Sequence, residues 1–501
     1  MIIQARHIKQ AETSVRSLVN NSVLVATNVV FPILLIPYMS RILGPENLGV
    51  FNWATAVVGY LMIFATIGLP TIGIREIGRF REDSRRINDL VAEIFTIRIV
   101  LVSIAYTALF LLCNFVEIFS RHSLVLYILA AQIGFDLIGH DWVYVGLSNQ
   151  LAVLRRNGIS KLLLLGLVYS LVSGRQDFIL FVILYVISYS LPFLLNFVLL
   201  FDKRSPRLHA GGLRKYLNTE IATNFLLSIV TSFFGKIDVI ILGFVMSMYE
   251  LGILSTIYKL VAVALVFITS WAIVLMPKSA DLYRNDIREY FSFINRSLDL
   301  VLLNSLFIAT FLAFNSVGIV RMLLGDKFAS GAWMLTALAP LVVVISAYNL
   351  MTYQILYLDG KYWEVLVVMA AAIIGCVGAI LGFYTKGGVV VVVYAILAAN
   401  VLIGAGIYAT VYKRHRLTFI DGNKLKIVTA NLAVAGVSWY AIKLGDDTVR
   451  LVLKGTMALV VYIVLLAILR ERVAGDILQR AKSVLKPARA YWRRDPQADG
   501  C

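Results

Sequence analysis

LGVFNWATAVVGYLMIFATIGLPTIGI, residues 48–74, runs for 27 residues without an Asp, Glu, Lys or Arg, and Arg75 follows it at once. A hydrocarbon core of ~30 Å takes about 20 helical residues, so this stretch is long enough to cross a bilayer. The residues Ser17–Ser40, Phe178–Leu200, Leu300–Val320, Gly331–Leu358 and Val389–Tyr412 are equally free of charge. Working outward from them, the pattern predicts spans at 17–40, 48–74, 89–113, 122–146, 156–173, 177–201, 217–243, 250–277, 290–316, 329–353, 362–384, 388–412, 425–443 and 451–469. The expectation is an all-α polytopic membrane protein of about 14 transmembrane helices. Composition agrees: 60% of residues are hydrophobic and 15% charged, and the mean hydropathy is +0.83. A soluble domain carries about 25% charged residues.

The net charge of +17 raises nucleic acid as a partner, but its distribution points to topology instead. With a cytoplasmic N-terminus, 34 of the 46 Lys and Arg fall on the cytoplasmic side or at that end of a span, nine at the outer side, and Arg98, Lys236 and Lys259 remain inside the membrane. This is the positive-inside pattern, and it predicts that both termini are cytoplasmic. The polar first 16 residues and the long first span read as no cleavable signal peptide. Cys113, Cys376 and Cys501 are scattered, which predicts no disulfide framework and no metal site.

Sliding the chain by 203 positions places Leu48-Gly49 on Leu251-Gly252, Arg81 on Arg284 and Asp83 on Asp286. A parallel duplication follows as an expectation: a six-helix lobe at 1–201, a basic cytoplasmic linker at 202–216, a second six-helix lobe at 217–412, an extra helix pair at 413–470 and a basic tail at 471–501. Repeat halves that rock about a central site are a common transporter design. Pro70 and Pro277 are expected to kink or end helices, Gly378 and Gly382 to pack against a neighbour, and 477–485 to lie on the membrane surface.

An ionisable side chain at membrane depth costs ~2.5–3.5 kcal/mol or more unless it is paired or wetted, so each is a functional candidate. Two groups stand out. Lys236 and Asp238 sit in the seventh span and Lys259 in the eighth. Lys236 and Asp238 point to nearly opposite sides of a helix, which leaves an Asp238–Lys259 pair available and Lys236 facing a cavity. Two cations with one acid suit an anionic ligand such as a diphosphate. The second group is Glu93 and Arg98 in the third span with Asp136, His140 and Asp141 in the fourth. Trp142 and Tyr144 follow, placed to stack on a sugar or to anchor at headgroups. The alternative for this group is an Arg98–aspartate pair that holds two spans together. No GxxxxGK[ST], HExxH, CxxC or GxSxG is present, and no cofactor or catalytic residue is predicted.

The link Arg41-Ile-Leu-Gly-Pro-Glu-Asn-Leu-Gly49 resembles that of O-antigen and exopolysaccharide flippases. These form the polysaccharide transport branch of the multidrug/oligosaccharidyl-lipid/polysaccharide exporter superfamily. Arg75-Glu76-Ile-Gly-Arg79, Phe135-Asp136, Asp141-Trp142-Val-Tyr144-Val-Gly146, Lys236-Ile-Asp238, Tyr258-Lys259 and Pro277-Lys278 resemble the same family, over residues 17–290. The resemblance implies a non-enzymatic flippase that moves a polyprenyl-diphosphate-linked oligosaccharide from the cytoplasmic to the periplasmic leaflet by alternating access. An ion gradient is the candidate drive, although the first span lacks the acid that some cation-coupled relatives keep. It implies substrate contacts for Lys236, Lys259, Arg98, Trp142 and Tyr144. Ion coupling or gating falls to Asp238, Asp136, Asp141 and Glu93. The implied setting is a bacterial inner membrane, with a polysaccharide polymerase and a chain-length regulator as candidate partners. Competing readings are a small-molecule exporter of the same superfamily, a membrane polysaccharide polymerase or ligase, and a non-transporting scaffold.

Overall fold

The computed structural model describes the backbone of residues 2–81, 83–201, 237–416, 421–441 and 448–468. The described residues are helical with short breaks and contain no strand. Lipid offers no hydrogen bonds, so a spanning backbone must satisfy its own, and a helix does so within one segment. Seven described helices are long and apolar enough to cross a membrane, eight if the bent pair Asp326–Leu338 and Leu341–Leu356 forms one span. The described residues fall in two compact units. One draws on 1–259, 323–331 and 373–392, the other on 260–322, 332–372 and 393–501.

The breaks differ from the expected span ends, and each has a backbone cause. The first two expected spans are one helical run, α1 (Ile2–Thr66), turned at Gly44, whose φ of 78° only glycine adopts readily. The run stops short of residue 74, because Ile67 and Gly68 both take positive φ. Pro70 then lies in the first turn of α2 (Leu69–Arg79). It begins a helix there rather than kinking one, since its missing N–H is no loss in a first turn. After α3 (Ser84–Phe115) and α4 (Glu117–Arg121), the fourth span splits at His140, whose φ is 49°, into α5 (Ser123–Gly139) and α6 (Asp141–Gly146). Next come α7 (Gln150–Leu171) and α8 (Phe178–Phe201).

The seventh span is described only from α9 (Ile237–Val245) onward. In α10 (Met248–Asn285), Pro277 lies inside the helix rather than ending it. The expected span 329–353 is broken between Leu338 and Leu341 and closes in a π-turn at Thr352–Leu356. The expected spans 362–384 and 388–412 form one run, Tyr362–His415, bent at Gly388 with φ 55°. A Cβ added to Gly378 or Gly382 would meet nothing within 4 Å, so these glycines pack against no described neighbour. The linker 202–216 and the segment 477–485 lie outside the described residues.

Positions 203 apart share local geometry at several places. Asp83 caps α3 by accepting from the backbone N–H of Arg85 (3.1 Å) and Arg86 (3.0 Å). Asp286 caps α11 (Ile287–Phe314) in the same way, from Arg288 (2.9 Å) and Glu289 (3.0 Å). Within the first unit the repeat-related segments touch. A Cβ on Gly49 would stand 1.8 Å from the Met248 carbonyl oxygen, and one on Gly252 would stand 1.8 Å from that of Pro45. Pro45 and Met248 are themselves 203 apart, so the contact is reciprocal, as at a local two-fold axis. Beside it, Asn52 Nδ2 donates to Ser255 Oγ at 2.8 Å, again across 203 positions.

Backbone on both sides leaves this crossing no room to relax. We expect Gly49→Ala or Gly252→Ala to destabilise the chain by about 1–3 kcal/mol or more, read as a lower thermal midpoint in detergent. Gly375→Ala, where the added Cβ meets nothing within 4 Å, leaves the midpoint unchanged.

Candidate functional site

Lys259 lies on α10 two turns beyond the Gly49–Gly252 crossing, and α1 presents Asn52 to it. Its Nζ donates to Asn52 Oδ1 at 2.5 Å, and Asn52 is buried. The ammonium also lies 5.8 Å from the centre of the Phe51 ring, within cation–π reach. Phe51 in turn meets Phe181 and Tyr185 edge-on, each at 4.9 Å. No described carboxylate pairs with Lys259, which is half-buried. An amide oxygen and an aromatic face orient this cation without cancelling its charge. Lys236 and the Asp238 side chain lie outside the described residues. The helix that carries Asp238 is held against α1 at Gly243, where a Cβ would stand 2.2 Å from the Trp53 ring.

In the second group, Arg98 and Asp136 pair. Arg98 Nη2 meets Asp136 Oδ2 at 2.5 Å, and Nη1 donates to the Asp136 carbonyl oxygen at 3.2 Å. The Arg98 side chain is 3% exposed and that of Asp136 22%, so the pair fastens α3 to α5. Two residues after His140, Trp142 is buried among Leu69, Ile72, Ile77, Ile87 and Ile94, over Gly73. Sugar stacking and headgroup anchoring both need an open ring face, so Trp142 is corrected to a packing residue that holds α6 on α2. Tyr144 has the Arg156 guanidinium 4.3 Å from its ring centre. Asp141 accepts a hydrogen bond from Asn196 Nδ2. Glu93 is half-buried on α3.

Sequence reasoning missed several partners. Asn52 is a neutral residue in an uncharged span, and only its 203-residue spacing from Ser255 could have flagged it. In the second unit, fully buried Asp299 pairs with Lys424 at 3.2 Å and accepts from Asn423 at 2.8 Å. Asp359, also buried, gathers Tyr283 (2.9 Å), Arg414 (3.1 Å) and His415 (2.7 Å). Its hydrogen bond to the Tyr283 hydroxyl, with burial second, raises that phenol above its usual range. Among the described residues no three His, Cys, Asp or Glu side chains converge as a metal site would need.

Removing one member of a buried pair strands the other charge, at about 3–5 kcal/mol. Asp136→Asn and Arg98→Met should each lower the thermal midpoint strongly. The double variant should recover part of the loss, which a double-mutant cycle measures.

Comparison with known proteins fits this architecture. The family model described as "Polysaccharide biosynthesis protein" matches residues 15–283, more than half of the chain. The "Putative O-antigen transporter" of Escherichia coli (strain K12) is 22% identical over 162 residues, which cover 32% of this chain and 39% of that relative's length. The structure of "Lipid II flippase MurJ, inward closed conformation" superposes with a TM-score of 0.71 at 13% identity, covering 91% of this chain and 98% of that one. At that identity the likeness is one of fold. On the family match, the chain belongs to the polysaccharide biosynthesis proteins, as a multi-pass, all-helical membrane protein.

Proposed function

We propose that the chain is a flippase for a polyprenyl-diphosphate-linked oligosaccharide, an O-antigen or exopolysaccharide repeat unit. It carries the headgroup from the cytoplasmic to the periplasmic leaflet of a bacterial inner membrane. The observation that carries this reading is Lys259, a cation in an apolar span with an amide and an aromatic ring as its described partners. A stable packing role would favour a carboxylate partner, as Arg98 and Lys424 have. A cation that no described residue neutralises suits an anion that comes and goes. A diphosphate needs such a path, because hydrocarbon excludes it. Family membership and a fold shared with a lipid II flippase support the same class of work.

On this reading Lys259 and Lys236 receive the diphosphate or acidic sugars, and Asp238 serves as charge partner or coupling proton site. The Arg98–Asp136 pair, Asp141 and Glu93 belong to an inner gate, and an ion gradient drives the cycle. The two six-helix lobes rock by alternating access, with both termini cytoplasmic. The oligosaccharide then passes to a polymerase and a chain-length regulator.

In spheroplasts of cells lacking the chain, an enzyme or lectin confined to the outer face should find the lipid-linked oligosaccharide intact but trapped inside. Wild-type chain restores access. Lys259→Ala restores at least tenfold less, and Lys259→Arg, which keeps the charge, restores more than Ala. Normal outer-face access without the chain would sink the proposal.

A further inference from the structure

A cavity of about 320 Å³ lies within the first unit, lined by Phe31 of α1, Asp141 of α6, Asn157 and Lys161 of α7, and Tyr185 and Tyr189 of α8. It is at the small end of the ~300–1,000 Å³ range of ligand pockets. Its polar groups have unspent capacity. The Tyr185 and Tyr189 hydroxyls and the Asn157 amide make no hydrogen bond to any described residue. Behind Asp141, Asn196 is fully buried; its Nδ2 donates to the carboxylate, while its Oδ1 has no partner. Polar groups at membrane depth are expensive unless something arrives to bond them.

The composition of the wall selects the visitor. An acyl chain would leave two phenols and the Asn157 amide unmet. A hydrophobic cation or a metal ion would face the Lys161 ammonium, held 5.6 Å from the Phe31 ring centre. A pyranose ring fits both demands. Its hydroxyls donate and accept, its C–H faces suit aromatic walls, and a carboxylate on it would meet Lys161. The position is also apt. Tyr185 touches Phe51 edge-on at 4.9 Å, and Phe51 lies beside the Lys259 ammonium. The pocket thus adjoins the cation proposed for the diphosphate, with one aromatic ring between them.

We infer that this cavity is a carbohydrate subsite, which holds one sugar ring of the lipid-linked oligosaccharide while Lys259 holds its diphosphate. The inference rests on the flippase reading and adds where sugar specificity is set. Tyr185 and Tyr189 are the specificity residues, through their hydroxyls.

The test uses the full chain in lipid nanodiscs and two probes. One is polyprenyl-diphosphate-linked oligosaccharide extracted from cells that make it, and the other is bare polyprenyl diphosphate. Wild type should bind the sugar-bearing probe more tightly. The double variant Tyr185→Phe, Tyr189→Phe keeps both rings and loses two hydrogen bonds. It should weaken the sugar-bearing probe about tenfold and leave the bare diphosphate unchanged. An unchanged thermal midpoint shows that the variant is folded. If wild type prefers the sugar-bearing probe but the variant weakens both probes alike, or neither, the subsite is overturned and the flippase reading survives. If wild type binds the two probes equally, sugar recognition is overturned here. If it binds neither, the flippase reading falls as well.

Discussion

The crossing of α1 and α10 at Gly49 and Gly252 is the contact on which the rest of the site depends. Each glycine lies against a carbonyl oxygen of the other segment, closer than any side chain would allow. That proximity brings Asn52 to Ser255 at 2.8 Å and, one turn further along α10, to Lys259 at 2.5 Å. In hydrocarbon no water stands in when such groups part. The crossing therefore fixes where a cation can sit in an apolar helix. The 203-residue correspondence holds at the glycines and fails just beyond them. The position matching Lys259 in the first repeat is Ala56, which is buried. One repeat supplies the charge and the other supplies the amide that aims it.

The described intramembrane charges named above sort into two kinds. Arg98 with Asp136, and Lys424 with Asp299, are closed pairs that tie helices together. Lys259 is oriented by neutral groups, and Asp141 is held by an amide beside an open cavity. Paired charges stabilise a conformation chiefly by punishing the loss of a partner. Charges held by neutral groups keep their field for something else.

Much of this was legible from residue pattern alone. Long charge-free runs marked the spans, because only length and apolarity are needed to cross lipid. The 203-residue offset paired Asp83 with Asp286, and both cap helices in the same way. The breaks at Ile67-Gly68 and His140 were not legible in the hydropathy pattern, which is blind to backbone dihedrals. Asn52 escaped notice because a neutral amide barely alters a hydropathy window. Trp142 was placed to stack on a sugar or to anchor at headgroups, but its ring packs inward over Gly73. Tyr185 and Tyr189 looked like two more aromatics of an apolar span, and only a folded cavity separates a lining hydroxyl from a packed one.

The central claim is that this chain alone moves a lipid-linked oligosaccharide across a bilayer. The direct measurement is reconstitution of the purified chain into liposomes with labelled polyprenyl-diphosphate-linked oligosaccharide in both leaflets. A glycosidase outside then reports how much becomes accessible with time. The account predicts that label beyond the outer-leaflet share is cut in vesicles that hold wild-type chain, at a much lower rate with Lys259→Ala, and not in empty vesicles. If digestion stops at the outer-leaflet share with wild-type chain present under an imposed ion gradient of either sign, the chain is not a flippase for this lipid.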